Sequence, residues 1–168
     1  GFNVKRTMRV AQKLYENGFI TYMRTDAPSL SKESIQDARA FISDQLGSGY
    51  LTNAPRIYSS QENAQEAHEA IRPTNASRKP GMITSSSDEE QRLYELIWQQ
   101  FISSQMPDAE YLSTSAKVNL EGYEFVARGR EVVFDGFTKV MPPRKDEDAI
   151  LPPLAEGDTF CLLYTSPS

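Results

Sequence analysis

The apolar residues change their period near Met106-Pro107, and that change limits the fold more than any other feature. Before it, Val4, Met8, Ala11 and Tyr15 recur at the spacing of one helix face, as do Ile35, Ala38, Ile42 and Leu46. Leu93, Leu96, Ile97 and Phe101 form a third such stripe, widened by Tyr94 and Trp98. After it, residues 113–120, 123–128 and 131–133 alternate or carry β-branched side chains, broken by Glu121-Gly122 and Gly129. That pattern predicts an antiparallel meander, with further strands at 138–141 and 159–164. Helices first and strands later predict an α+β fold: a mostly helical domain over 1–106, then a partial antiparallel β domain over 107–168.

Local punctuation agrees with this division. Asn17-Gly18 supplies a left-handed stop for the first helix. Ser31 is an N-cap, with Glu33 in the first turn. Ser87 and Glu90 form a capping box that opens the clearest helix. Between these helices, residues 63–71 predict a short helix stopped by Pro73, and residues 56–58 a short extended piece.

Composition excludes several classes. No run approaches the roughly twenty apolar residues of a membrane helix, and residues 1–8 lack a signal-peptide core. One cysteine cannot close an intramolecular disulfide, and with one histidine it gives no zinc site, so a cytoplasmic setting is expected. The net charge is -5, but residues 1–80 carry a net +3 and residues 81–168 a net -8. A nucleic-acid partner is therefore expected on the first half, where Lys5, Arg6, Arg9 and Lys13 share one predicted helix.

Residues 18–26, GFITYMRTD, carry the chemistry. In an extended segment Tyr22 and Arg24 share a face, roughly 6.5–7 Å apart. Only about one free tyrosine in a thousand is phenolate at neutral pH. A fixed cation favours the phenolate and neutralises charge on a phosphate under attack. Tyrosine is a known covalent nucleophile, and the arginine fork fits phosphate oxygens. Alone, the pair is equally a packed strand motif.

Three ordered strings decide the matter. GFITYMRTD resembles the active-site segment of type IA DNA topoisomerases. Residues 63–74, NAQEAHEAIRPT, resemble a second signature of that family, and residues 134–141, FDGFTKVM, a third. Met23, where the topoisomerase III branch usually has proline, points to the bacterial topoisomerase I branch. The resemblance implies a helical, helix-turn-helix-like domain bearing the nucleophile, followed by part of a β-rich arc.

It implies a role for each matched residue. Tyr22 is the expected nucleophile, becoming joined to the 5′-phosphate of a cut single strand. Arg24 is expected to orient that phosphate. His68 and Asp26 are expected near the DNA, as are Arg9 and Lys13 of the first helix. Arg72 either faces DNA or pairs with Glu69 at i, i+3. Thr21 and Thr25 are expected to be structural. Ala27 departs from the pattern, which usually has serine there.

The intact family enzyme relaxes negative supercoils by cutting, strand passage and religation without ATP. It uses Mg²⁺ held by a Toprim domain, and no metal site is expected within this chain. Single-stranded DNA is the expected partner, with no membrane involved and a monomeric, nucleoid-associated enzyme. The 168-residue chain is expected to be inactive alone. A non-catalytic single-stranded-DNA-binding module is the alternative. A tyrosine recombinase would need several spread Arg/His residues and a tyrosine near the C-terminus. Residues 161–168, CLLYTSPS, resemble a translated sequencing adapter more than arc sequence, so native origin is not assumed for them.

Overall fold

The computed structural model describes residues 2–58, 69–83, 87–120, 122–143 and 151–159. Three helices form from the three stripes: α1 (Val4–Glu16), α2 (Lys32–Gln45) and α3 (Asp88–Ser103). Each begins on a side-chain cap. Asn3 accepts from the Arg6 N–H, Ser31 from Ser34, and Ser87 from Glu90, so an orphan donor at each helix start is satisfied. Short 3₁₀ turns lie at Ser48–Tyr50 and Gly136–Lys139. Two antiparallel strands, β1 (Glu110–Leu120) and β2 (Tyr123–Phe134), form a hairpin. The class is α+β, as the change of period implies.

The chain divides into two compact units. The first is Gly1–Ala109 with Asp135–Pro143, and the second is Glu110–Phe134 with Arg144–Ser168.

The first unit has a closed core. Leu14, Ile20, Ile42, Ile83, Tyr94, Ile102 and Met106 are fully buried within it. Two helices expose residues that were expected to face inward. α1 buries Val10, Ala11 and Leu14, while Val4 and Tyr15 are exposed. On α3, Tyr94 and Trp98 occupy the core and Leu96 is exposed. The largest side chains win the interior because they bury the most area and their polar ends find acceptors. Trp98 Nε1 donates to the Ala76 carbonyl at 2.8 Å, and the Tyr94 hydroxyl donates to the Arg78 carbonyl at 2.7 Å.

The second unit is the hairpin with residues 151–159. Gly122, at φ +87°, sits in the turn where the Leu120–Tyr123 pair closes the ladder. The three-strand meander is corrected to two long strands: Gly129 pairs with Thr114 in mid-ladder and breaks nothing. Leu112, Tyr123, Phe125, Val126, Val132 and Val133 are exposed.

Other expectations also change. Residues 138–141 are not a strand, since Gly136–Lys139 is a 3₁₀ turn. Residues 69–71 are not helical, and residues 63–68 of that expected helix lie outside the described residues, as does most of the strand expected at 159–164. Residues 56–58 form no ladder. Instead the buried Gln105 amide brackets Arg56, accepting from its N–H at 3.1 Å and donating to its carbonyl at 3.0 Å.

Candidate nucleic-acid cleavage site

The motif at 18–26 starts from the end of α1. Gly18, at φ +70°, donates its N–H to the Tyr15 carbonyl at 2.9 Å, and Phe19 donates to the Leu14 carbonyl at 2.9 Å. This pair of bonds is a Schellman cap, and it needs the left-handed residue that glycine tolerates. The cap fixes the direction in which the chain leaves the helix.

The segment then runs beside residues 70–74. Thr74 N–H donates to the Phe19 carbonyl at 3.0 Å, Thr21 N–H donates to the Arg72 carbonyl at 2.9 Å, and Ile20 faces Pro73 in a single antiparallel bridge. Beyond this bridge residues 19–23 form no strand. The Thr21 hydroxyl donates to the Ala70 carbonyl at 2.8 Å and accepts from Arg72 N–H at 2.9 Å. Thr74 Oγ1 donates to the Gly18 carbonyl at 2.8 Å. Two of the three motif strings therefore meet here, although about fifty residues separate Thr21 from its partners.

Beyond the bridge the backbone bends, and the side chains divide between core and surface. Ile20 and Met23 are buried, while Tyr22, Arg24 and Asp26 are exposed. Tyr22 is 45% exposed, and its ring meets that of Tyr15 edge to face at 5.3 Å. Among the described residues, no hydrogen bond or ion pair engages Arg24 or Asp26, so the two do not neutralise one another. Thr25 Oγ1 accepts from Ala27 N–H at 3.1 Å, which shapes the turn after the motif, and the Ala27 side chain is buried.

Glu69 anchors the second string. Its carboxylate accepts from Arg72 Nε at 2.7 Å and Nη2 at 3.0 Å, a bidentate pair. It also accepts from the Ser31 N–H at 3.0 Å and the Ser34 hydroxyl at 3.3 Å, at the start of α2. Burial pushes the Glu69 carboxyl up, but the Arg72 guanidinium and the Ser31 bond outweigh it and hold the carboxyl below its ordinary value.

Arg72 is thus committed within the chain. Its side chain is only 16% exposed, and Nη1 donates to the Pro73 carbonyl at 2.9 Å. Of the two readings of Arg72, the structure contains the ion pair. His68 lies outside the described residues; its neighbour Glu69 is fixed as above.

Arg9 and Lys13 are exposed on α1 but not alone. Arg9 lies 4.0 Å from Glu89, Lys13 lies 3.6 Å from Glu90, and Arg6 also pairs with Glu89. The acidic first turn of α3 thus sits against the basic helix. Sequence reasoning missed this, because its only local signal was the run Asp88-Glu89-Glu90, already explained by capping. The tie from Glu69 to Ser31, across thirty-eight residues, had no local signal at all. Tyr15 was expected in the core, and its contact with Tyr22 was missed with it.

The chain is similar throughout to known proteins of one kind. The sequence profile of a family described as DNA topoisomerase matches residues 1–166. DNA topoisomerase 1 of Pseudomonas aeruginosa is 48% identical over 170 residues, covering 100% of this chain and 20% of that protein. DNA topoisomerase 1 of Escherichia coli is 46% identical over the same shares. Full-length topoisomerase I from Thermotoga maritima superposes with a TM-score of 0.78 at 34% identity, covering 94% of this chain and 26% of that one. The chain belongs to the DNA topoisomerase family, and its relatives are type I enzymes. It spans about a fifth of the length of those curated relatives.

Proposed function

We propose that this chain is the nucleophile-bearing part of a type IA DNA topoisomerase, inactive alone, and that the intact enzyme cleaves single-stranded DNA through Tyr22. The observation that carries the reading is the exposure of Tyr22, Arg24 and Asp26 together, with no hydrogen bond or ion pair to Arg24 among the described residues. An exposed guanidinium two residues from an exposed phenol, and unpaired among the described residues, suits a phosphate ligand.

The reaction is a transesterification. The Tyr22 oxygen forms a bond to phosphorus and loses its proton. The bond from phosphorus to the 3′-oxygen of the upstream nucleotide breaks, and that oxygen leaves as a hydroxyl. Religation reverses both steps, so the phosphotyrosine bond keeps the energy of the broken link and ATP is not required. Arg24 orients the scissile phosphate and offsets charge in the transition state. Asp26 and His68 approach the same strand, with Arg9 and Lys13 guiding the backbone further along. Arg72 contributes by holding Glu69, and hence the segment that follows His68.

In this reading the first unit corresponds to the family's tyrosine domain and the second to part of its arc. Mg²⁺ belongs to the whole enzyme. Among the described residues no group of three His, Cys, Asp or Glu side chains could hold a metal ion, so the fit fails and no step is assigned to one. The intact enzyme is read as a monomer acting on single-stranded regions of DNA in the cytoplasm, relaxing negative supercoils.

The test is Tyr22→Phe in the full-length enzyme carrying this chain. Only the phenol oxygen is lost, so covalent DNA trapping disappears and non-covalent binding of a single-stranded oligonucleotide persists. Covalent trapping by the variant through another residue would refute the assignment. A wild-type enzyme that binds but never traps DNA would leave only a binding module.

A further inference from the structure

Tyr15 meets the Tyr22 ring, and the proposed reaction leaves it without a role. It lies in the last turn of α1, beside the fully buried Leu14 and just before the Schellman cap, so its backbone is firmly held. Its ring is 41% exposed and meets the Tyr22 ring with 5.3 Å between centroids and 72° between planes. Among the described residues its hydroxyl makes no hydrogen bond. Tyr22, by contrast, follows a single β-bridge rather than a ladder, and its side chain is nearly half exposed. A phenol in that position has several staggered wells open to it.

We propose that Tyr15 is a positioning residue for Tyr22: its ring, braced by α1, selects the rotamer in which the phenol oxygen faces the scissile phosphate. The inference rests on the reading of Tyr22 as nucleophile. An edge-to-face pair of this geometry biases a choice between poses by about two- to tenfold. The effect depends on the aromatic ring and not on the hydroxyl. It acts on the bound state, because cleavage needs the reacting atoms aligned after the strand has docked.

The experiment uses the full-length enzyme and a single-stranded oligonucleotide, with the rate of covalent-complex formation measured against oligonucleotide concentration. Tyr15→Leu is expected to lower the saturating rate by about two- to tenfold and to leave the half-saturating concentration within about twofold. Tyr15→Phe is expected to restore the rate. A second readout needs no turnover: fluorotyrosine at position 22 gives a ¹⁹F resonance that shifts in Tyr15→Leu and stays in place in Tyr15→Phe. An unchanged saturating rate in Tyr15→Leu, a loss confined to half-saturation, or a loss in Tyr15→Phe as large as in Tyr15→Leu would each overturn the proposal. If Tyr15→Leu fails to fold, an altered ¹⁹F resonance or rate in the Tyr15→Phe protein overturns it instead. Failure of the nucleophile reading shows separately, as covalent trapping that survives Tyr22→Phe.

Discussion

The two units use the same chain chemistry in opposite ways. In the first, side chains from α1, α3 and the loops close over one another, and long-range hydrogen bonds tie loops to helices. In the second, eleven residue pairs hold a hairpin by its ladder, and much of its apolar surface is exposed. The contrast teaches where geometric precision resides. Tyr22 is set by a helix cap, a bridge to residues 72–74 and two buried neighbours, Ile20 and Met23.

The widest gap between the units appears in core truncation. Leu14→Ala removes a fully buried side chain and is expected to cost about 2–5 kcal/mol. Val133→Ala, on the exposed hairpin, is expected to change stability by about 0.5 kcal/mol or less. Trp98, the only tryptophan and buried in the first unit, reports that unit's unfolding in denaturant. Equal midpoints for the two variants would erase the distinction.

Gly136→Ala tests where the chain re-enters the first unit. Gly136 has φ +49°, and an added Cβ would lie 2.4 Å from the Asp108 carbonyl oxygen. Strain and overlap together predict a loss of about 2–4 kcal/mol by the same fluorescence measurement. Near-native stability would mean that the Asp108 backbone moves aside easily.

Legibility in the sequence followed the range of the interactions. Ser31 and Ser87 could be read as caps because their partners lie three residues away. The α+β order could be read from two periodicities. The inward places of Tyr94, Trp98 and Phe101 on α3 could be read too, but the exposure of Leu96, Val4 and Tyr15 could not, because it depends on how the helices pack. Gly129 read as a break because glycine is poor in strands, yet its pairing with Thr114 is carried by the ladder on both sides. At the site, Tyr22 and Arg24 are both exposed, as the sequence reading requires. The brace from Tyr15 and the acidic screen over Arg9 were not legible, since both depend on how the helices pack.

A smaller effect separates the units by pH. Glu69 has its carboxyl held below the ordinary value in the folded state. Such a group contributes stability that is fully present above its unfolded pKa and is lost as pH falls through the folded one. Wild type should therefore exceed Glu69→Gln by about 1–2 kcal/mol near pH 7, with the gap closing as pH falls below about 4.5. Denaturation of both proteins across that range checks it. A gap that persisted at about pH 3 would mean that hydrogen bonding independent of charge carries the contact.

The smallest effect concerns the surface where the first unit would meet DNA. Glu89 lies beside both Arg6 and Arg9; the arginines are well exposed and Glu89 partly so, and the pairs contribute little to folding. Glu89→Gln is expected to cost less than about 1 kcal/mol of stability. Its effect on binding has the opposite sign. A phosphate must displace the carboxylate to reach either arginine, and that exchange releases less bound cation than contact with an unpaired arginine would. Removing the carboxylate should therefore raise the affinity of the full-length enzyme for a single-stranded oligonucleotide at low salt. It should also steepen the plot of log affinity against log salt by about 0.7 for each phosphate gained. The same substitution should leave the hairpin's behaviour unchanged. If the slope and the affinity both stay put, Arg6 and Arg9 serve only to dock α1 against α3, and the strand follows a path that avoids them.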